Sequence, residues 1–81
     1  MYYTYILESS SHPGQRYIGH TSNIGLRLKQ HNAGESHHTS KYGPWKLKLY
    51  VAFETRESAR RFERYLKSGS GHAFANRHFW N

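Results

Sequence analysis

A tyrosine, an arginine and a histidine are the residues whose types and spacing suit chemistry on a phosphate group. Tyr17 lies in a short apolar stretch that ends at Gly19, where the backbone can turn tightly. Arg27 and His31 follow, four residues apart, so on a helix they share one face. The stretch from Tyr17 to Asn32 is therefore predicted to hold a compact polar site.

The charge balance favours a polyanion as the partner of that site. Twelve Lys+Arg against five Asp+Glu give a net charge of +7 and a pI near 10.0. A small domain this basic has the electrostatic footprint of a nucleic-acid binder, although a basic surface also occurs without that function. All five acidic residues are glutamates, and a two-metal nuclease needs several clustered carboxylates. We therefore expect any nuclease here to use one metal ion or none.

Composition also bears on the compartment and on the domain count. The chain has no cysteine, which excludes disulfides, thiolate zinc sites and cysteine nucleophiles. No apolar run approaches the about 20 residues that span a bilayer, and the N-terminus does not resemble a signal peptide. The 81 residues show no repeat or linker. We expect one domain over residues 1–81, in the cytoplasm and without a membrane partner.

The first half of the chain predicts a hairpin followed by a helix. An aromatic and β-branched run over Met1 to Glu8 predicts a strand, and Pro13-Gly14 marks the bend before the return strand, Arg16 to Gly19. In this hairpin Tyr5 can approach Tyr17. A helix follows from about Ser22, its predicted N-cap, to Asn32, with Gly34 as the C-terminal cap and with Ile24, Leu28 and, less cleanly, Leu26 as its buried stripe.

The second half predicts a third strand and two helices. Alternation over Trp45 to Glu54 places Trp45, Leu47, Leu49 and Val51 on one face of a strand whose apolar content suits a central position. Thr55 caps a second helix with a core stripe of Ala59, Phe62 and Leu66, and a short helix follows from about Gly71 to Phe79. The predicted fold is α+β, a small antiparallel three-stranded sheet flanked by helices in the order β-β-α-β-α-α.

These features resemble the GIY-YIG nuclease superfamily over nearly the whole chain. The second half of its signature stands intact as Tyr17-Ile18-Gly19, and the first half is Tyr3-Thr4-Tyr5, with Tyr3 in place of the glycine. The resemblance extends to the helix arginine, the histidine position and the metal-binding glutamate of the family, which match Arg27, His31 and Glu63. The chain is most similar to the small stand-alone branch, which resembles the catalytic module of excision-repair incision subunits.

The resemblance implies a metal-dependent DNA endonuclease that acts in DNA repair. Glu63 would hold one Mg²⁺ (or Mn²⁺), Arg27 would stabilise the phosphate, and Tyr5 or Tyr17 would position or activate water. His31 would orient the nucleophile or a tyrosine hydroxyl, or else cap the end of its helix. From the residues alone other roles stay open. Glu63 could form a surface pair with Lys67, and each tyrosine could be a core residue.

Further basic residues are candidates for contacts to the DNA backbone. They are His20, which stands where some family members carry a lysine, and Lys41, Arg56, Arg60 and Lys67. Adjacent His37 and His38 could suggest a metal site, but a solvated loop or phosphate contacts suit them better. The alternatives are a non-catalytic nucleic-acid-binding module and a nuclease subunit that needs a protein partner for targeting, because no DNA-targeting domain is recognisable.

Overall fold

The computed structural model describes residues 1–80, so Asn81 of the predicted domain lies outside the described residues. A short 3₁₀ turn, Ser40–Tyr42, precedes the third strand. The strands and helices follow in the order β1 (Tyr2–Ser9), β2 (Arg16–Thr21), α1 (Ile24–Asn32), β3 (Trp45–Phe53), α2 (Arg56–Leu66) and α3 (Gly69–His78). The predicted fold class and element order are confirmed.

The strand order is β2-β1-β3, with both pairs antiparallel, so β1 is the central strand and the prediction of a central β3 is wrong. The burial patterns give the reason. β1 buries four consecutive residues from Thr4 to Leu7, as expected of a strand covered on both faces, whereas β3 alternates between covered and exposed residues. The alternation that predicted β3 is therefore the pattern of an edge strand.

A β-bulge at Lys48 divides β3 between the two faces of the sheet. Leu49 pairs with Ile6, but Leu47 pairs with Leu7, so one extra residue lies between the two pairs. Directly opposed residues share a face. The prediction of one shared apolar face is therefore wrong: before the bulge Trp45 and Leu47 face α1, and after it Leu49 and Val51 face the other side.

Each face of the sheet has its own packing. On the α1 side, Tyr5, Leu7 and Trp45 form a buried cluster that Ile24 and Leu28 of α1 cover, whereas Leu26 is 53% exposed. On the other side the core stripe of α2 packs as predicted, with Ala59 and Leu66 buried and Phe62 half-buried. The Thr4 hydroxyl donates to the Ala59 carbonyl at 2.7 Å, which ties α2 to the central strand.

The ends of α1 follow its capping residues. Asn23, not the predicted Ser22, is the N-cap, because its side-chain oxygen accepts from the Leu26 N–H at 3.0 Å. At the other end Gly34 takes a φ of +78° and donates to the His31 carbonyl at 3.2 Å, as the prediction of a glycine cap requires. Arg27 and His31 are thus held on a helix with both ends capped.

The two C-terminal helices follow one another closely. Thr55 caps α2 as predicted, and its side-chain oxygen accepts from the Ser58 N–H at 3.1 Å. α3 begins at Gly69, earlier than predicted, because Ser68 provides its N-cap. Among the described residues no helix is both long and apolar enough to cross a membrane.

Candidate active site

Tyr5 and Tyr17 lie side by side across the β1–β2 hairpin, with ring centroids 6.3 Å apart. Gly19 pairs directly with Tyr5, and the phenol of Tyr5 runs over it. A Cβ at position 19 would lie 2.7 Å from the Tyr5 hydroxyl and 3.1 Å from Cε2 of Tyr17. Only glycine leaves room for this arrangement, which explains in physical terms why the sequence Tyr17-Ile18-Gly19 ends in glycine although β2 continues to Thr21.

Arg27 brings a permanent positive charge to the two phenols. Its guanidinium interacts with the hydroxyls of Tyr5 and Tyr17, and the hydrogen bond to Tyr5 raises the pKa of Arg27. Nη1 also donates to the side-chain oxygen of Gln30 at 3.0 Å, which limits the freedom of the guanidinium. The arginine is half-buried, so its charge is less screened than that of an exposed residue.

Burial makes the Tyr5 hydroxyl a poor acid. It raises the pKa of Tyr5 to about 12, although the hydrogen bond with Arg27 lowers it. Tyr5 is 2% exposed. Near neutral pH the residue is therefore a neutral phenol that can donate and accept hydrogen bonds.

His31 links Tyr5 to the loop after α1. Its Nε2 lies 2.9 Å from the Tyr5 hydroxyl, and its ring centroid is 4.8 Å from that of Tyr17. Burial, and then the charge of Arg27, lower the pKa of His31 to about 4. The imidazole is neutral at pH 7, so one ring nitrogen donates and the other accepts.

The partner of the second ring nitrogen is Thr39, which the sequence analysis did not identify. The hydroxyl of Thr39 lies 2.7 Å from Nδ1 of His31 and is fully buried. Its carbonyl accepts from Nε1 of Trp45 at 2.6 Å, which fixes the residue against the core. Thr39 lies in a polar loop with no periodic pattern, and no signal in the sequence distinguishes it from its neighbours.

Glu63 projects from α2 toward the edge strand β2. One carboxylate oxygen lies 2.5 Å from Nδ1 of His20, and the other accepts from Nζ of Lys67 at 2.7 Å. Burial by itself would raise the pKa of Glu63, but the hydrogen bonds from Lys67 and His20 outweigh it and lower the pKa. Glu63 is therefore ionised at neutral pH. The Glu63–Lys67 surface pair left open by the sequence is present, together with a second partner, His20.

The carboxylate and the phenols lie on opposite faces of the sheet but at the same edge. Consecutive strand residues point to opposite faces, so Gly19 adjoins the phenols while His20 meets Glu63. Because β2 is an edge strand, no neighbouring strand separates the two sets. The negative charge of Glu63 is the smallest of the causes that raise the pKa of Tyr5.

The side chains at this edge fit a metal ion that takes most of its ligands from water and substrate rather than from the protein. In the part of the chain that the structure describes, no group of three or more His, Cys, Asp and Glu residues could hold a metal ion. Mg²⁺ is commonly held by one or two carboxylates, with waters and substrate phosphates completing the octahedron. Glu63 is the ionised carboxylate at this edge, and an ion there would displace His20 or Lys67 from one oxygen.

The predicted contacts to nucleic acid divide into two groups. His20, Arg60 and Lys67 line one open cavity of about 310 Å³ together with Glu63, and so does Arg64, which was not predicted as a site residue. The spacing of residues 60 and 64 on α2, with residue 67 at its C-cap, was the signal for that addition. The remaining two residues lie elsewhere: Arg56 lies over the ring of Tyr2 at 5.0 Å, and Lys41 lies 5.5 Å from the ring of Tyr42.

Chemically, this edge offers an arginine cation and two tyrosine hydroxyls on one face and an ionised carboxylate on the other. A guanidinium can neutralise charge that develops on a phosphate. The hydroxyls can orient a water molecule by hydrogen bonds, and the carboxylate can hold a divalent cation. These are the functions that hydrolysis of a phosphodiester requires.

A family model described as the GIY-YIG catalytic domain matches residues 1–76. The structure-specific endonuclease subunit SLX1 homolog of Giardia intestinalis is 46% identical over 65 aligned positions, and the alignment covers 75% of this chain and 18% of that protein. The structure-specific endonuclease subunit SLX1 of Candida dubliniensis is 38% identical over 87 aligned positions, gaps included, and the alignment covers 99% of this chain and 29% of that protein. The chain thus spans less than a third of the length of these two relatives.

A third relative is closer in length. The UPF0213 protein BH0048 of Halalkalibacterium halodurans is 36% identical over 67 residues, which cover 82% of this chain and 69% of that protein. The solution NMR structure of the UPF0213 protein BH0048 from Bacillus halodurans superposes with a TM-score of 0.55 at 30% identity, covering 99% of this chain and 88% of that one.

Proposed function

This chain belongs to the GIY-YIG family of endonuclease catalytic domains, and we propose that it hydrolyses phosphodiester bonds in DNA with one divalent metal ion, Mg²⁺ or Mn²⁺, at Glu63. The observation that carries the proposal is the arrangement at the edge of β2. Tyr5, His31 and Arg27 lie on one face of the sheet at this edge, and the ionised Glu63 lies on the other. By likeness to the family, the products carry 5′-phosphate and 3′-hydroxyl ends.

Glu63 is the proposed metal ligand. A divalent ion bound there would polarise the scissile phosphate and lower the pKa of an attacking water. The carboxylate is already ionised, because Lys67 and His20 hold its pKa below the ordinary value, so no proton has to leave before a cation binds. The same two residues are positive or polar neighbours that can turn to the substrate phosphate once the metal replaces them.

Arg27 is proposed to contact the scissile phosphate. Its charge is permanent, and its planar fork can donate two hydrogen bonds to phosphate oxygens. The contacts with Tyr5, Tyr17 and Gln30 hold the guanidinium in place before the substrate arrives, so little reorganisation is needed when charge develops.

We assign the two tyrosines different tasks. With a pKa of about 12, Tyr5 is suited to hold neighbouring groups in place by hydrogen bonding rather than to remove a proton from water. His31 and Thr39 hold the hydroxyl of Tyr5 in a single orientation. Tyr17 is half-buried and therefore closer to solvent, and we assign it the contact with the attacking water.

The basic side chains around Glu63 are proposed to bind the DNA backbone. Arg60, Arg64 and Lys67 line one cavity with the carboxylate, so a phosphate held by them would lie beside the metal. Such contacts are largely independent of sequence and weaken as salt is added. Lys41 and Arg56 are proposed as outlying contacts to the same polyanion.

A second candidate is a catalytic subunit that cuts only when a protein partner delivers the DNA. Two of the relatives are named as structure-specific endonuclease subunits, and this chain spans 18% and 29% of their lengths. By this likeness the preferred DNA would be recognised by its structure rather than by its base sequence.

A cytoplasmic location and a single domain remain predictions.

Cleavage of plasmid, branched and single-stranded DNA, with and without Mg²⁺ or Mn²⁺, tests the proposal. We expect Glu63→Ala and Arg27→Ala to abolish cutting while most of the binding remains. The matched controls are Glu57→Ala and Arg61→Ala, which remove the same charges from exposed positions of α2 and should cut like the unmodified chain.

Each alternative has its own result. Metal-dependent cutting that survives in Glu63→Ala would show that Glu63 is not the metal ligand. Tight, salt-sensitive binding without cutting of any of the three DNAs would favour the non-catalytic binding module. Cutting that appears only when a partner protein is added would favour the subunit.

A further inference from the structure

A second cavity, of about 340 Å³, lies between β2 and α3. It is on the face of the sheet away from the phenols, because Ile18 points opposite to its neighbours Tyr17 and Gly19. Its floor is apolar and consists of Ile18, Leu66 and Ala75, of which the last two are almost fully buried. A floor of this kind suits a flat, weakly hydrated ligand surface. We call it the rear cavity.

One wall of the rear cavity is an aromatic–cation stack. The guanidinium carbon of Arg16 lies 3.9 Å from the ring centroid of Trp80, and Nζ of Lys48 lies 6.0 Å from the same ring. Glu8 pairs with both cations, at 3.6 Å from Arg16 and 3.4 Å from Lys48. Arg16 lines the cavity and Lys48 lies behind the Trp80 ring outside the lining, and these two positive charges share one negative charge, so the surroundings of Trp80 are cationic and would attract a phosphate.

Three exposed polar side chains border the rear cavity. They are those of Gln15, His72 and Asn76, and within residues 1–80 none of them makes a side-chain hydrogen bond to another residue. Each amide can both donate and accept hydrogen bonds. Because no protein group occupies these side chains, they can turn to a ligand, and a few polar groups above an apolar floor are enough to set its orientation.

We propose that the rear cavity binds one unstacked nucleobase of the DNA substrate, an inference that rests on the proposed nuclease function. The cavity has the size of a small ligand site, at the lower end of the range of about 300–1,000 Å³. Amide side chains such as Asn76 and Gln15 match the hydrogen-bonding edges of bases. An aromatic ring with a stacked guanidinium, as in Trp80 and Arg16, is the kind of wall against which a base face packs.

The position of the rear cavity links it to cutting. Its lining residues on β2, Ile18 and Arg16, lie one and three residues from Gly19, which is about 3–10 Å of extended strand. On α2, Leu66 lies one turn beyond Glu63. A base held there would therefore belong to a nucleotide close to the scissile phosphate, and DNA with unpaired nucleotides beside the cut would be the favoured substrate.

The test is a titration with deoxyadenosine monophosphate in the absence of metal, followed by tryptophan emission. Of the two tryptophans, Trp45 is 5% exposed and Trp80 lines the cavity, so a change in emission is expected from Trp80. We expect saturable quenching by the nucleotide and none by inorganic phosphate. In Trp80→Phe the change should disappear, and if it persists the proposal is overturned.

Single substitutions then locate the site. Asn76→Ala and His72→Ala each remove a polar group from exposed positions of α3, and we expect each to weaken nucleotide binding about three- to tenfold, the loss of one hydrogen bond. Alanine favours a helix, so the fold should be retained, with circular dichroism as the check. His37→Ala removes an exposed histidine from the loop after α1 and should bind like the unmodified chain.

Besides a signal that persists in Trp80→Phe, two further results would overturn the proposal: equal quenching by inorganic phosphate, and unchanged binding by both Asn76→Ala and His72→Ala. The titration uses neither metal nor cutting, so it is independent of the role of Glu63. Cutting without nucleotide binding would refute the base-binding role of the rear cavity and leave the nuclease proposal standing. Nucleotide binding without cutting would refute the nuclease proposal and leave the rear cavity as a base-binding site.

Discussion

Gly19→Ala is the substitution whose effect follows most directly from the geometry. The added Cβ would lie 2.7 Å from the Tyr5 hydroxyl oxygen and 2.8 Å from Cζ of the same ring. The ring has little freedom to move away, since Tyr5 is 2% exposed and its hydroxyl bonds to His31. The substitution therefore pushes the phenol out of its place.

The expected cost has two parts. Overpacking a filled core costs about 1–3 kcal/mol, and losing the Tyr5–His31 hydrogen bond costs about 0.5–1.5 kcal/mol. We expect Gly19→Ala to lower the free energy of unfolding by about 2–4 kcal/mol, a large share of the about 5–15 kcal/mol that stabilises a small protein. A shift of the hydroxyl by about 1 Å should also slow cutting by about 100-fold.

Gly25→Ala is the matched control. The nearest atom to its added Cβ is the side-chain oxygen of Asn23 at 3.7 Å, an ordinary contact, and the position is helical. Alanine should therefore stabilise the protein by about 0.5–1 kcal/mol. Urea unfolding midpoints and single-turnover cutting rates of both variants give the comparison. If Gly19→Ala unfolds and cuts like the unmodified chain, the close approach of Gly19 and Tyr5 is refuted.

Three further predictions concern His31, Thr39 and Lys67. The pKa of His31 is about 4 in the folded chain and 6.5 ordinarily, so the unfolded chain takes up the proton first as the pH falls. The free energy of unfolding should therefore fall by up to about 3 kcal/mol between pH 6.5 and 4. In thermal melts, the melting temperature of His31→Gln should depend less on pH over this range. Thr39→Val removes the partner of Nδ1 and should lower kcat by about tenfold, whereas Thr39→Ser should restore it. Lys67→Met should reduce the salt dependence of DNA binding by about one phosphate contact, measured by fluorescence anisotropy, whereas Lys46→Met on β3 should not.

Local signals in the sequence were enough to predict most of the fold. Thr55 followed by the stripe of Ala59, Phe62 and Leu66 predicted α2 correctly, because capping and helical periodicity act within a few residues. The bulge at Lys48 could not be predicted in the same way. It depends on how two strands pair, so a regular alternation in one strand contains no trace of it.

The site was only partly accessible from the sequence for a related reason. The approach of Tyr5 and Tyr17 follows from the hairpin, in which the two strands are joined by a short turn. The contact between His20 and Glu63 joins residues 43 positions apart and depends on the packing of α2 beside β2. Thr39 is buried by a loop that has no periodicity, so its bond to His31 became visible only in the folded chain.

Paramagnetic broadening by Mn²⁺ in a ¹H–¹⁵N spectrum of the chain bound to non-cleavable DNA tests the metal assignment most directly. We expect the amide signals of Gly19, His20, Glu63 and Lys67 to broaden at the lowest Mn²⁺ concentrations, and Glu63→Gln to abolish the effect. Broadening centred on His37 and His38, or broadening at the edge of β2 that survives in Glu63→Gln, would contradict the account.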